Sequence, residues 1–284
     1  MARILIVGYG ALGRKLTPIL AAGKHEIWGI NRSGVVLPPA IAIKADLFAA
    51  ETLINLPEFD YLIYTATPSE RSETGYQNAY LTGLRNIIAA TQNNNTKHII
   101  FVSSTSVYHQ THGEWVDEFS ETQPTQFSGQ TILQAEYYLR QIGASHSCVR
   151  FGGIYGTDRL FLIRSVQANK PVVRNPPIYT NRIHDEDCAG VLAFLIDQHL
   201  DGIALEQTYL AVDDVPADEW TVKQWLAQEM GMPPLPEEYS VGEVDQNKRC
   251  SNAQLKALGY HFKYPSFQQG YAAIWSELAA RLGS

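Results

Sequence analysis

Arg3-Ile4-Leu5-Ile6-Val7-Gly8-Tyr9-Gly10-Ala11-Leu12-Gly13-Arg14 is the stretch that decides the fold. Its first five residues form a β-branched apolar run, the pattern of a strand buried on both faces of a parallel sheet. Gly8, Gly10 and Gly13 then make a G-x-G-x-x-G string, and residues 14–22 read as a helix with Leu16, Ile19 and Leu20 turned inward. Gly23 falls where a helix-ending glycine belongs, and Pro18 lies near enough to the helix start to be tolerated. Alone, the glycine string is a weak signal. Between a strand and a helix it predicts a phosphate loop, where glycines let the backbone approach a pyrophosphate and the helix N-terminus offers unpaired N–H groups. That reading assigns Gly8, Gly10, Ala11, Leu12 and Gly13 to a dinucleotide cofactor; the competing reading is an ordinary strand-to-helix turn.

The strand–helix alternation continues outward from this motif. Strands are expected at 26–30, 41–45, 61–65, 98–102 and 147–151, with a short helix or turn at 46–55 and helices at 75–92 and 131–142. The polar run Asn93-Asn94-Asn95 ends the first of these long helices, and Gly143 follows the second. This spacing predicts βαβ units and hence a Rossmann-like doubly wound parallel α/β sheet. Beyond residue 152 the pattern loosens around Pro171, Pro176 and Pro177, and again from Pro233 to Pro236. Helices are expected near 187–198, 220–229, 253–258 and 267–282, and a strand at 208–212. The expected organisation is a nucleotide-binding domain over 1–152. Residues 153–284 follow as a mixed region, with small interwoven C-terminal substrate-binding cap segments and parts that return to the Rossmann core.

Composition narrows the function classes. The chain has 284 residues, 45% apolar and 18% charged, with a net charge of −7. That is enough apolar material for a large core and too little charge for a disordered chain. Its 22 basic residues are scattered, which disfavours duplex nucleic acid and anionic membrane as partners. The longest unbroken apolar run, 191–196, falls far short of the ~20 residues that cross a bilayer. The apolar N-terminus is broken by Gly8, Gly10 and Gly13 and reads as strand and turn, not as a signal peptide. Cys148, Cys188 and Cys250 are odd in number and never in a CxxC, which disfavours a disulfide framework or a four-thiolate zinc site and fits a reducing cytosol.

The second expected strand ends at Ile30-Asn31-Arg32-Ser33. An NAD site usually places an acid there for the ribose hydroxyls, but no acid lies between Glu26 and Asp46. Asn31, Arg32 and Ser33 suit a 2′-phosphate instead, so NADP(H) is favoured and NAD(H) remains possible. The bland alternative is a solvated loop arginine.

Taken together, these residues resemble the extended short-chain dehydrogenase/reductases, the NAD(P)-dependent epimerase/dehydratase family. The resemblance runs through Ala45-Asp46-Leu47, Thr65-Ala66-Thr67 and Phe101-Val102-Ser103-Ser104-Thr105-Ser106-Val107-Tyr108. It continues through Arg150-Phe151-Gly152-Gly153-Ile154-Tyr155-Gly156, Arg182-Ile183-His184-Asp185-Glu186-Asp187 and Ser251-Asn252-Ala253-Gln254-Leu255-Lys256-Ala257-Leu258-Gly259-Tyr260. It implies that Asp46, Leu47, Thr65, Ala66, Thr67 and Phe151 join the cofactor set, that Thr105 lines the substrate, and that Ser104 bonds the reacting oxygen. Such enzymes carry Tyr-x-x-x-Lys, with a glutamate four residues further on. Matching Glu136 to that glutamate puts Ser128 where the tyrosine belongs and Ile132 where the lysine belongs, so the acid/base pair is missing.

Several residues admit two readings. Tyr108 most simply packs or lines the pocket; alternatively it is the substitute phenol, and with Ser104 it forms the catalytic candidate set. His109-x-x-His112-x-Glu114 has metal-ligand types but no helix to align the histidines, and no metal is expected. Arg159 is either a substrate anion contact or a surface cation. Asp213-Asp214 reads as a loop after a strand, and Cys148 as core. The expected function is hydride transfer on a sugar nucleotide or a related hydroxyl or carbonyl compound, in an oxidoreductase, epimerase or dehydratase cycle with an atypical site. The alternative is a non-catalytic NADP(H)-binding sensor. A small-molecule substrate and a cytoplasmic location are expected. A homodimer is also expected, through the helices bearing Ala79, Leu84, Ile87 and Ile88 and bearing Leu133, Tyr137 and Ile142.

Overall fold

A computed structural model describes residues 1–92, 94–239, 244 and 246–282. Asn93 of the expected polar run, and 240–243, 245 and 283–284 of the expected second region, lie outside the described residues. In chain order the elements are β1 (Arg3–Val7), α1 (Ala11–Ala22), β2 (Glu26–Asn31), β3 (Ile41–Lys44), β4 (Tyr61–Tyr64), α2 (Glu73–Gln77), α3 (Gly83–Thr91), β5 (His98–Ser104), β6 (Glu114–Val116) and α4 (Phe127–Gln141). They continue with β7 (His146–Phe151), β8 (Gly153–Tyr155), α5 (Phe161–Gln167), β9 (Val172–Val173), β10 (Tyr179–Thr180), β11 (Arg182–His184), α6 (Asp185–Leu200) and β12 (Thr208–Ala211). The last are β13 (Ala217–Asp218), α7 (Glu219–Glu229), β14 (Glu237–Glu238), β15 (Lys248–Cys250), α8 (Ala253–Leu258) and α9 (Phe267–Leu282).

Seven strands form one sheet in the order β12-β7-β5-β4-β1-β2-β3. The pairs β3–β2, β2–β1, β1–β4 and β4–β5 all run parallel. The order reverses direction between β1 and β4, which is the topological switch point of a doubly wound sheet. Strands β1 and β4 are buried on both faces, as their continuous apolar runs require.

The chain divides into two compact units. The first comprises 1–107, 122–150 and 188–209, and carries the sheet up to Tyr209. Its core holds Ile4, Leu5, Ile6, Leu62, Ile63 and Phe101, all fully buried. The second comprises 108–121, 151–187 and 210–284. Its own core packs Tyr155, Val166, Val222, Leu226, Phe267 and Ile274. It contains four short strand pairs, β10–β13, β11–β8, β14–β9 and β15–β6, whose two- and three-residue lengths leave no periodicity to read in the sequence. All three cysteines are buried thiols outside any disulfide, Cys148 on β7. Among the described residues no helix is long and apolar enough to cross a membrane.

Two local expectations are corrected, and Gly23 ends α1 as expected. Ile19 is 40% exposed, because the inward stripe of α1 is Gly13, Leu16, Thr17 and Leu20; at about 100° per residue Ile19 falls off that stripe. Gly23 closes α1 with φ −73, and the left-handed residue is Lys24 at φ +60. The expected helix over 75–92 is interrupted by a π-turn at Asn78–Thr82. There the buried Tyr64 hydroxyl donates to the Ala79 carbonyl, and a Cβ on Gly83 would stand 2.8 Å from that hydroxyl. The widened turn accommodates this contact.

One buried ionic cluster ties three elements of the first unit. Glu136 on α4 is fully buried, and Arg150 on β7 is 4% exposed. Arg150 grips the carboxylate with two donors, Nε at 3.0 Å and Nη2 at 2.6 Å, while Ser103 on β5 donates to it at 2.6 Å. Removing one partner of such a pair leaves a buried uncompensated charge, at a cost of about 3–5 kcal/mol. Arg150→Met is therefore expected to lower the unfolding free energy by about that amount in a urea titration. Glu136→Leu combined with Arg150→Met should recover most of the loss, because no buried charge then remains.

Candidate functional site

The turn after β1 is built on a backbone approach that only glycine permits. Gly8 has φ +81, and a Cβ there would stand 2.4 Å from Ala66 Cα and 2.5 Å from Ala66 N. Both Gly8 and Tyr9 donate their N–H to the Ile30 carbonyl, and Thr65 Oγ1 donates to Val7 O and Gly8 O. The ends of β1, β2 and β4 are thereby held together. Gly10 caps α1, whose first turn carries no acidic residue, so the helix N-terminus keeps its partial positive charge for an anion. Gly13 gives room to the Tyr9 ring, since a Cβ there would lie 2.9 Å from it. The Tyr9 hydroxyl pairs with Thr17 Oγ1 at 2.7 Å and accepts the Leu37 N–H at 3.1 Å.

A cleft of about 630 Å3 opens at this point, lined by Gly8, Asn31, Arg32, Asp46, Leu47, Ala66 and Thr67 among the expected residues. Tyr9, Ile30, Ala45, Phe48 and Ser69 line it as well. Among the described residues Arg32 has no ion-pair or side-chain hydrogen-bond partner, and its exposed guanidinium is free at the rim. Asn31 is committed to the loop. Its amide donates to Tyr9 O and Val35 O, and its oxygen accepts from Gly34 N, Val35 N and Ser33 Oγ. Asn31 and Ser33 thus shape the loop that carries Arg32. Asp46 accepts the Phe48 N–H at 3.0 Å, which holds Phe48, 38% exposed, at the cleft. Ala11 and Leu12 lie in the first turn of α1, and Thr65 is buried beneath the cleft.

The end of β5 carries the candidate chemistry. Ser104 is half-buried and its Oγ accepts the Ser106 N–H at 3.1 Å, which shapes the turn at Thr105–Val107. Thr105 is 9% exposed. Helix α4 lies against this turn: a Cβ on Gly129 would stand 2.4 Å from Ser106 O. On α4, Ser128 is half-buried and Ile132 is buried, so no phenol or ammonium occupies those two positions.

The remaining expected residues belong to the second unit. Tyr108 is fully buried and its hydroxyl donates to Asp117 O at 2.7 Å. Phe151 is 2% exposed in β7, and Arg159 is exposed on the tight turn Gly156–Arg159. Glu114 accepts the His112 N–H at 2.8 Å and stands 3.4 Å from its ring. Among the described residues no group of three or more His, Cys, Asp or Glu is arranged to hold a metal ion. Asp213 follows β12 in a loop, 3% exposed, and burial raises its carboxyl to about 8.

Sequence reasoning did not single out Tyr9, Phe48 and Ser69. Tyr9 was legible as the second residue of the glycine string, and Phe48 as the residue after Asp46-Leu47. Nothing in the sequence marked Ser69.

Residues 2–173 match the family profile described as the RmlD substrate binding domain. A structure from Methylobacillus flagellatus assigned to the NAD-dependent epimerase/dehydratases is 34% identical, covers 98% of this chain and 99% of its own, and superposes with a TM-score of 0.83. Protein YeeZ of Escherichia coli K12 is 26% identical over 93% of this chain and 97% of its own length. A UDP-glucose 4-epimerase of Thermus thermophilus in complex with NAD shares the fold, at 18% identity and a TM-score of 0.74, over 94% of this chain and 96% of that one.

Gly8→Ala tests the construction of the turn. A side chain at that positive φ is strained by about 1–3 kcal/mol before the clash with Ala66 is counted. The variant is expected to unfold at lower urea concentration by at least that free energy, whereas Gly143→Ala, where a Cβ meets nothing within 4 Å, should lose only the strain.

Proposed function

The chain belongs to the RmlD substrate-binding-domain family, within the extended short-chain dehydrogenase/reductases, and from that premise we propose that it is an NADP(H)-dependent oxidoreductase, epimerase or dehydratase acting on a sugar nucleotide or related hydroxyl or carbonyl compound. The observation that carries this reading is the cleft at the switch point, where Gly8 approaches Ala66 more closely than any Cβ on residue 8 would allow and α1 starts three residues on. A nicotinamide dinucleotide, when bound, supplies or accepts a hydride. The N–H groups of Gly10 to Gly13 would hold its pyrophosphate, with Gly8 allowing the close approach, and Asp46, Leu47, Ala66 and Thr67 its adenosine side. The free guanidinium of Arg32 would hold a 2′-phosphate, placed by the loop that Asn31 and Ser33 shape. The relatives' chemistry supports the substrate class, and the mostly apolar lining of the cleft supports a small molecule.

Ser104 is assigned to bonding the reacting oxygen, since it sits on the rigid end of β5. Ser128 and Ile132 cannot move a proton at neutral pH. Tyr108 would first have to surrender its hydrogen bond to Asp117 O. We therefore assign the proton to a water held by Ser104, with Tyr108 fixing the 108–121 segment. Thr105 and Arg159 are proposed to contact the substrate, and Phe151 the cofactor. The same two substitutions, Ser128 and Ile132, favour one other reading, a dinucleotide-binding sensor without turnover. Oxidation of NADPH by a panel of carbonyl compounds separates the two: turnover with any of them supports the enzyme, and tight NADPH binding without turnover supports the sensor.

The assembly proposed is a homodimer in the cytoplasm. On α4, Tyr137 is 44% exposed, and Ile142 just beyond it 41%; Ile88 on α3 is half-buried, whereas Leu133, Leu84 and Ile87 are buried. The exposed apolar positions suit an isologous contact of helices, and three buried thiols outside any disulfide suit a reducing compartment.

Two measurements bear on these assignments. NADPH should bind more tightly than NADH, and Arg32→Ala should lose most of that preference, roughly tenfold or more for one charge-assisted contact; equal affinity of the unmutated protein for both would remove the assignment of Arg32. Light scattering at micromolar concentration should give twice the chain mass of 31.7 kDa.

A further inference from the structure

In the second unit, β15 and β6 pair in parallel with Arg249 opposite Trp115. Strand alternation sends Lys248 and Cys250 to the buried face, at 3% and 1% exposure, and leaves Arg249 half-buried on the other. There its guanidinium centre lies over two aromatic rings, 5.2 Å from the Trp115 centroid and 4.8 Å from the Tyr179 centroid. Its Nε–H donates to Gly113 O at 2.8 Å. Gly113 can stand so close because it has φ +79 and no side chain to meet the Tyr179 ring, which would lie 3.3 Å from its Cβ. The cation is thus fixed in position by two ring contacts and one hydrogen bond.

Among the described residues its two terminal nitrogens have no hydrogen-bond partner, and no carboxylate lies within ion-pair distance. The acids nearest in sequence to Trp115 are occupied elsewhere. Glu114 accepts from His112 N, and Asp117 accepts from Phe119 N and Ser120 Oγ. Trp115 is 58% exposed. A guanidinium held this way has already lost its rotamer freedom, so the fork of donors it presents is preorganised. With Nε spent on Gly113 O, the donors left over among the described contacts are the two terminal nitrogens, which match two oxygens of one group.

We propose that Arg249 is an oxyanion receptor, taking a carboxylate or phosphate group on its free edge, with the exposed Trp115 ring bordering the body that carries the group. The site lies wholly within the second unit and does not rest on the dinucleotide reading.

The test is calorimetric titration of the full chain, without cofactor, using inorganic phosphate and benzoate as probes. At least one is expected to saturate the protein at one site per chain. Arg249→Lys keeps the charge but loses the planar fork, and should weaken that binding tenfold or more while circular dichroism stays unchanged. Tyr179→Leu, which removes one of the two rings, should weaken it severalfold and serves where Arg249→Lys does not fold. Binding of phosphate alone, insensitive to Trp115→Leu, identifies a phosphate group as the ligand. Binding of benzoate that Trp115→Leu weakens identifies a ring-borne carboxylate. Absence of saturable binding by both probes, or equal affinity in Arg249→Lys and the unmutated protein, overturns the proposal.

Discussion

The buried carboxylate of Glu136 is the constraint on which the arrangement of the first unit turns. A charge with no solvent around it must be matched by donors in fixed places. Arg150 supplies two and Ser103 a third, so α4, β7 and β5 have one mutual position that satisfies all three groups. Apolar packing alone would tolerate small slips among these elements; a bidentate guanidinium does not. Because Ser103 precedes Ser104, the ionic cluster also fixes the strand end that carries the proposed chemistry. Gly129 then allows α4 to close on the turn behind it.

The cleft depends on a second constraint of the opposite kind, the lack of side chains. Gly8 and Ala66 bring the ends of β1 and β4 within a distance that any Cβ on residue 8 would forbid. The cleft opens at this close approach, at the switch point of the sheet, with α1 starting at Ala11 just after it. The cation lining the cleft, Arg32, sits on a loop that Asn31 stabilises through five hydrogen bonds. Loop shape and loop charge are therefore carried by different residues, and changing one need not disturb the other.

The second unit concentrates polar groups in its interior. Asp213 is buried with its carboxyl raised to about 8, and desolvation outweighs the opposing field of Arg182. Lys248 is buried too, and desolvation lowers its ammonium. Arg249, one residue on, is half-buried beside the Trp115 and Tyr179 rings. Asp213 and Lys248 show the two outcomes of bringing an ionisable group out of water: a raised acid and a lowered base.

The sequence by itself determined the doubly wound sheet, because each of its strands is either a continuous apolar run or a short one set between helix signals. It also determined Gly8, Arg32, Asp46 and Ala66 as cleft residues, since glycine spacing and the position after a strand are local properties. The family resemblance, with its register set by Glu136, put Ser128 and Ile132 where a phenol and an ammonium are implied, although the expected helix began only at 131 and the structure starts α4 at Phe127. Only the tertiary structure decided the rest. Ile19 faces solvent because the stripe that packs is set by the sheet beneath α1. The π-turn at Asn78–Thr82 arises where Tyr64, distant in sequence, reaches the helix backbone. The Tyr108 hydroxyl donates a hydrogen bond to the Asp117 carbonyl, and Asn31 turns inward to its loop, through bonds that no spacing rule encodes. The short strands of the second unit and the ring contacts of Arg249 join residues from 113 to 249. Contacts of that range leave no period in a sequence, because they are selected by the folded surface as a whole.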